Sequence, residues 1–180
     1  MITIEPIEKW MDFQPLLTNH ARWRNDSLLW LRETFPTTPL VQQKFFHSLP
    51  KSSNYFAVIK KDDKNEPLIV GICGLTDINM THKNAEFSLL IGTEYQQNGY
   101  GTKALNQLLV YGFDTLELQL IYGETFSYPK VHGINPGAKA YEKLGFTLDG
   151  TLRKRYLKYG QWVDVLVYSL LKSEFKRPIS

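Results

Sequence analysis

The stretch from Asn84 to Phe113 does most to limit what this 180-residue chain can fold into. "NAEFSLLIG" (84–92) reads as a strand. "EYQQNGYGT" then places Gly99 and Gly101 in a tight loop, after which Ala104, Leu105, Leu108, Leu109 and Phe113 recur at helix spacing. A strand that passes through a glycine loop into an apolar-striped helix must lay that helix back on its own sheet. "LELQLIYGETF" (116–126) alternates and supplies the next strand. The fold class is therefore α/β (α+β in some schemes), with helices packed on a mixed sheet.

The remaining segments fill in that frame. "ITIEPI" (2–7) is a short strand, and residues 9–48 carry a helical pattern broken by prolines. "PTTP" (36–39) divides it into at least two helices. "RWRNDSLLWLRETF" (22–35) sits in its middle, with Trp23 and Trp30 on one helix face. Core packing accounts for the two tryptophans, and lining a binding pocket is the sharper alternative. "NYFAVIKK" (54–61) and "PLIVGICGL" (67–75) are strands joined by the polar turn "DDKNE". "GAKAYEKLGF" (137–146) is a short helix stopped at Gly145. "TLRKRYLKYGQWVDVLVYSLL" (151–171) forms two strands around a turn near Gly160, and the tail "KRPIS" is solvated. No repeat, low-complexity tract or linker interrupts residues 1–180, so one domain is expected.

Composition excludes several classes. The net charge of +3 tolerates an anionic ligand but is no footprint for nucleic acid. Cys73 stands alone, which rules out an internal disulfide and a cysteine metal cluster. It lies in the apolar run "LIVGICGL", where a buried structural thiol is the expected role. His20, His47, His82 and His132 share no metal-ligand spacing, so no metal is expected. "MITIEPIEKW" is acidic where a signal peptide is basic. No run approaches the roughly 20 apolar residues of a membrane span. A cytoplasmic protein with no membrane partner follows as the default.

The glycine loop has two readings. It is a tight turn, or it aims backbone amides at an anion. The first N–H groups of a helix have no partner within it and sit at the positive end of the macrodipole. Bare glycines let an anion approach. Taken alone the two readings weigh evenly. A P-loop is excluded because Lys103 follows Thr102 without the Gly-Lys-Ser/Thr triplet. A dinucleotide fingerprint needs three spaced glycines, and only Gly99 and Gly101 are present.

"AEFSLLIGTEYQQNGYGTKAL" resembles the acetyl-coenzyme A (acetyl-CoA) motif of the GNAT superfamily of N-acetyltransferases, Arg/Gln-x-x-Gly-x-Gly/Ala, at Gln96, Gly99 and Gly101. "AYEKLGF" (140–146) resembles the family's next helix. "LDGTLRKRYLKYGQWVDVLVYSLL" resembles the closing hairpin of the ribosomal-protein alanine acetyltransferase-like branch. The resemblance is close over residues 54–172 and looser before them. It implies a helical acceptor-side segment (1–50), an acetyl-CoA-binding core (84–146) and a C-terminal hairpin (147–172). It also implies the chemistry: acetyl transfer to a primary amine by direct attack in a ternary complex. Amides of Gln97, Asn98, Gly99, Tyr100, Gly101 and Thr102 would hold the pyrophosphate. The backbone at Leu90 and Ile91 would pair with pantetheine and face the thioester oxyanion. Tyr141 would protonate the leaving thiolate, against the plainer role of a tyrosine packed on the sheet. Asn135 stands one residue out of register with the family's coenzyme-contacting asparagine. The stretch "TFSYPKVHGINPGAKA" is longer than the family's and would reshape the acceptor mouth around His132.

The attacking amine must lose a proton, so a base is useful. Glu86 is the first candidate, weighed against a solvated strand glutamate. Glu124, where the next strand ends, and Glu33, in the segment covering the acceptor, rank below it. Arg153, Lys154, Arg155 and Lys158 form a basic cluster that is either a solvated face or a partner for the coenzyme's 3′-phosphate. The acceptor is a protein N-terminus or a small amine (amino sugar, aminoglycoside or polyamine). "RWRND" is similar to members that acetylate nucleotide-linked amino sugars, while polyamine use would need an acidic site. A homodimer is left open. The competing reading is a non-catalytic acyl-CoA sensor with the same fold.

Overall fold

The computed structural model describes residues 1–61, 66–128, 133–135 and 137–177. Its strands are β1 (Ile2–Pro6), β2 (Asn54–Lys61), β3 (Pro67–Asn79), β4 (Asn84–Ile91), β5 (Leu120–Tyr128), β6 (Gly133–Ile134), β7 (Thr147–Lys158) and β8 (Gln161–Leu171). Its α-helices are α1 (Gln14–Asp26), α2 (Pro39–His47), α3 (Tyr100–Val110) and α4 (Ala138–Lys143). The strands form one sheet in the order β1-β2-β3-β4-β5-β8-β7, with β6 beside β5. β4 and β5 are its parallel pair, and the helix demanded by such a crossover is α3.

Helices cover both faces of the sheet. On one, α3 buries Ala104, Leu105, Leu108 and Leu109 completely against Val58, Val70, Leu75 and Ile121. On the other, α1 buries Leu16, Leu17 and Trp23 against Ala57, Ile59, Ile69 and Ile72. Successive residues of β2 thus enter opposite cores, the period of two expected of a pleated strand. β3 breaks that period twice, once opposite β2 and again between Thr76 and Asn79 opposite β4. Val58 pairs with Gly71 but Ile59 pairs with Ile69, so Val70 is an extra residue in a β-bulge. Ile69 and Ile72 therefore share a face.

The feature that positions the site is a fork. β4 pairs with β5 only at Asn84↔Leu120, Ala85↔Ile121 and Glu86↔Tyr122. Beyond Glu86 the strands part. β4 stays on β3, while β5 follows β8 as far as Ser127↔Asp164.

Several expectations need correction. α1 ends at Asp26, so Trp23 and Trp30 do not share a helix face; Trp30 lies in a separate 3-10 turn, Leu28–Trp30. The cause is Asn25, whose side chain accepts from Thr37 N–H (2.7 Å) and donates to Thr37 C=O (3.0 Å), pulling the returning chain across the helix end. β5 begins at Leu120 rather than 116, because Glu117 takes φ 55° and Leu118 N–H is held by Gly112 C=O. It also continues to Tyr128, so Glu124 lies inside the strand and not at its end. α3 closes with a wide i+5 turn, Tyr111–Thr115. The turn "DDKNE", His132 and the last residues of the tail lie wholly or mostly outside the described residues.

Candidate active site

The open end of the fork faces the glycine loop. A 3-10 turn, Thr93–Tyr95, leads from β4 into it. Asn98 Nδ2 donates to the carbonyls of Tyr95 (3.2 Å) and Gln96 (2.9 Å), which curls the loop on itself. Gln97 and Gly99 take φ 62° and 73°. Such values are uncommon for glutamine and easy for glycine. Gly99 is the N-cap of α3, and no side chain caps the helix. The amides of Tyr100, Gly101 and Thr102 therefore have no partner within the helix. A methyl group on Gly101 would touch only Ile91 Cγ1 and Leu89 Cδ2, both at 3.5 Å, so packing does not require a glycine there.

Gln96 has a task the motif does not reveal. Its Nε2 donates to Ile91 C=O (3.1 Å), tying the loop to the end of β4. That bond also orients the strand. Gly92 N–H donates to Val70 C=O on β3 (3.0 Å). Alternation along an antiparallel ladder then turns Leu90 towards β3 as well, and Leu89 and Ile91 into the fork. Of the two backbone positions expected from the resemblance, only Ile91 faces the opening; Leu89 joins it, and Leu90 is committed to β3.

Tyr141, on α4, reaches the same region. Its ring is 8% exposed and packs edge-on against Phe87, the first β4 residue beyond the fork, with centroids 5.0 Å apart. Phe146 and Tyr168 enclose it at 5.9 and 5.6 Å. Burial, reinforced by Tyr168, pushes the phenol up to about 12. Asn135 is placed differently from a free ligand contact. Its Oδ1 accepts from Gly137 N–H (2.9 Å) and its carbonyl from Ala138 N–H (2.9 Å), so it shapes the approach to α4.

The acidic side chains converge more than their spacing suggests. Glu86, at the last paired position of β4, and Glu124, on β5, both accept from the Arg32 guanidinium; Nη2 is 3.0 Å from Glu124 Oε2 and closer to Glu86. The carboxylate side chains are 12% and 20% exposed, Arg32 49%. Burial raises the Glu86 carboxyl, Arg32 opposes this, and Glu124 and Asp77 add to it. For Arg32 burial disfavours the charge, but Glu86 and Glu124 outweigh it and hold the guanidinium firmly protonated. Glu33, the third candidate base, is instead paired with Arg24. Sequence reasoning missed Arg32, which carries no local signal.

Lys158 corrects the basic cluster. It is 1% exposed, and its Nζ donates to the carbonyls of Leu28, Leu31 and Glu33, the last at 2.8 Å. Its ammonium also lies 5.2 Å from the Phe126 ring centroid. It is therefore unavailable to a phosphate; Arg153, Lys154 and Arg155 remain exposed. Lys158 clamps the backbone on both sides of Arg32. Lys158→Met keeps an unbranched chain one atom shorter and leaves three carbonyls without their donor. It is expected to lower the unfolding free energy by about 1–3 kcal/mol in a urea titration, and an unchanged midpoint would deny the clamp.

Other nominated groups are inert. Cys73 is fully buried, and burial pushes its thiol well above the usual range, as for a structural thiol. His20 is buried against Phe46 and held neutral, its pKa lowered to about 3 by burial and Arg24. His47 pairs with Asp12 at the surface (2.8 Å). Among the described residues no three His, Cys, Asp or Glu side chains group as metal ligands. Nor is any helix among them long and apolar enough to cross a membrane. Two recesses of about 340 and 380 Å³ lie beside α2, the first also against α1, and neither includes a residue of the glycine loop, the fork or α4. The fork is an open cleft between strands, which suits an extended ligand better than a closed cavity would.

Comparison with known proteins agrees with this architecture. The family described as acetyltransferase (GNAT) domain matches residues 2–147. The spermidine N(1)-acetyltransferase of Vibrio cholerae is 26% identical over 155 residues, covering 84% of this chain and 83% of that protein. An uncharacterized N-acetyltransferase, p20, of Bacillus licheniformis is 31% identical over 129 residues, 71% of this chain and 67% of that one. The dodecameric structure of the V. cholerae spermidine N-acetyltransferase superposes with a TM-score of 0.70 at 24% identity, covering 96% of this chain and 94% of that one. With a forked mixed sheet, an uncapped glycine-loop helix and a family match over most of its length, the chain belongs to the GNAT acetyltransferase family and is an N-acetyltransferase.

Proposed function

We propose that this enzyme acetylates a small polyamine, with acetyl-CoA as donor. The carrying observation is the acidic pair at the fork: Glu86 and Glu124, one from each arm, where β4 and β5 separate. A cationic amine entering there meets two largely buried carboxylates. The named spermidine acetyltransferases among the relatives support the same acceptor class.

In this reading the amides of Gln97 to Thr102 take the pyrophosphate. Gly101 favours it, since its bareness has no packing cause. The Leu89 and Ile91 backbone takes the pantetheine arm as an added strand. The Ile91 N–H is the natural donor to the thioester oxygen as negative charge builds on it. Glu86 receives a proton from the attacking ammonium, directly or through water. A carboxyl raised by burial is the better base. The amine nitrogen bonds to the acetyl carbon, the carbon–sulfur bond breaks, and Tyr141 donates its proton to the departing thiolate. Asn135 keeps its helix-shaping role. A cytoplasmic setting and an oligomer both suit such an enzyme, the V. cholerae protein being a dodecamer.

The test is thiol release from acetyl-CoA with polyamines, amino sugars, aminoglycosides and N-terminal peptides. Polyamines are expected to turn over fastest. Glu124→Gln is expected to raise KM for the polyamine about tenfold, the scale of one close charge pair, with KM for acetyl-CoA unchanged. Faster turnover on a peptide, indifferent to Glu124, would refute the polyamine reading. Acetyl-CoA binding without release on any amine would favour the sensor.

A further inference from the structure

Arg32 fills the place between Glu86 and Glu124 that an amine would enter. We infer that Arg32 is a displaceable internal cation that sets acceptor specificity: an acceptor must bring enough positive charge of its own to replace it. The inference rests on the polyamine reading above and deepens it.

Three features support displacement over a fixed clamp. The guanidinium is about half exposed while the carboxylates it bridges are largely buried, so the lid of the ion pair faces outward. Second, the backbone around Arg32 does not depend on its side chain. Lys158 holds the carbonyls of Leu31 and Glu33, and Tyr128 O–H donates to Leu29 C=O. The side chain can swing out while the segment stays in place. Third, Arg24, near the end of α1, is engaged by Glu33 and is not free to take its place.

The charge count decides which acceptors succeed. Glu86 and Glu124 carry two negative charges against the one of Arg32. A monoamine that expels Arg32 restores only the same single charge and gains little. A di- or polycation answers both carboxylates and gains a pair. Arg32 thereby discriminates against monoamines, a device that works by raising the cost of the wrong partner.

The experiment is calorimetric titration of spermidine and of butylamine into the wild-type enzyme and Arg32→Gln, beside thiol release with acetyl-CoA. Arg32→Gln is expected to tighten spermidine about tenfold and butylamine by a larger factor, so that the ratio of the two affinities falls, while acetyl-CoA affinity holds; equal tightening of both would overturn the role in specificity. Arg32→Lys, which cannot bridge two carboxylates as a guanidinium does, should fall between, and it serves if Arg32→Gln does not fold. Unchanged or weaker spermidine binding in both variants overturns the inference, as does no binding at all. Thiol release without tightening overturns the displaceable cation and leaves the polyamine reading standing. Tightening without release overturns the polyamine reading and with it the role in acceptor specificity, and leaves only the displaceability of Arg32.

Discussion

Tyr141→Phe is expected to lower kcat for thiol release by about a hundredfold or more, the contribution of a positioned general acid. The change removes one oxygen and keeps the ring that packs on Phe87, Phe146 and Tyr168, so the melting temperature should barely move. KM for acetyl-CoA should also hold, because the loop amides sit on a different element from α4. The pH profile supplies an independent check. Burial holds the phenol up to about 12, so it stays protonated through the range where the acceptor amine loses its proton. The rate should rise with pH and show no falling limb below about pH 10, near the unperturbed tyrosine value. A falling limb there, or an undiminished rate in the phenylalanine variant, would move the acid elsewhere.

Trp23→Ala is expected to cost about 3–5 kcal/mol of stability, as large aromatic truncations in a core do. Trp23 is fully buried, and it bridges two parts of the molecule. Its ring lies over Gly92, where an added Cβ would come within 2.4 Å of it, and edge-on to Tyr95 at 6.2 Å. Its Nε1 donates to both oxygens of Glu94, at 3.2 and 3.0 Å, and Arg22 pairs with the same carboxylate. These contacts hold the turn Thr93–Tyr95 that delivers the glycine loop. The variant should therefore lose acetyl-CoA affinity beyond its loss of stability. Trp23→Phe separates the two effects: it keeps most of the packing and loses the bond to Glu94, for about 2 kcal/mol. Urea titration with and without acetyl-CoA measures both. A Trp23→Ala enzyme as stable as the parent would mean α1 does not brace the loop.

The sequence by itself determined the parts of this protein that follow from local patterns. β2, β4 and β8 appear within the strand-like runs read between turn residues. α3 appears where an apolar stripe follows two glycines, and the short helix before Gly145 stops at its φ of 88°. These features depend on neighbours within a turn or two, so the order of residues is enough. The family was legible for the same reason, because its motif lies in one loop. The end of α1 was not legible, since it depends on Asn25 reaching Thr37 rather than on a proline or glycine. Nor was the burial of Lys158, which reads as one more cation in "RKRYLK" until three carbonyls from residues 28–33 surround it. The acidic pair needed the whole fold. Arg32 lies 54 residues from Glu86 and 92 from Glu124, and only the fork between β4 and β5 brings the three together. Charge interactions fall with distance and strengthen with burial, and both quantities exist only once the sheet is assembled.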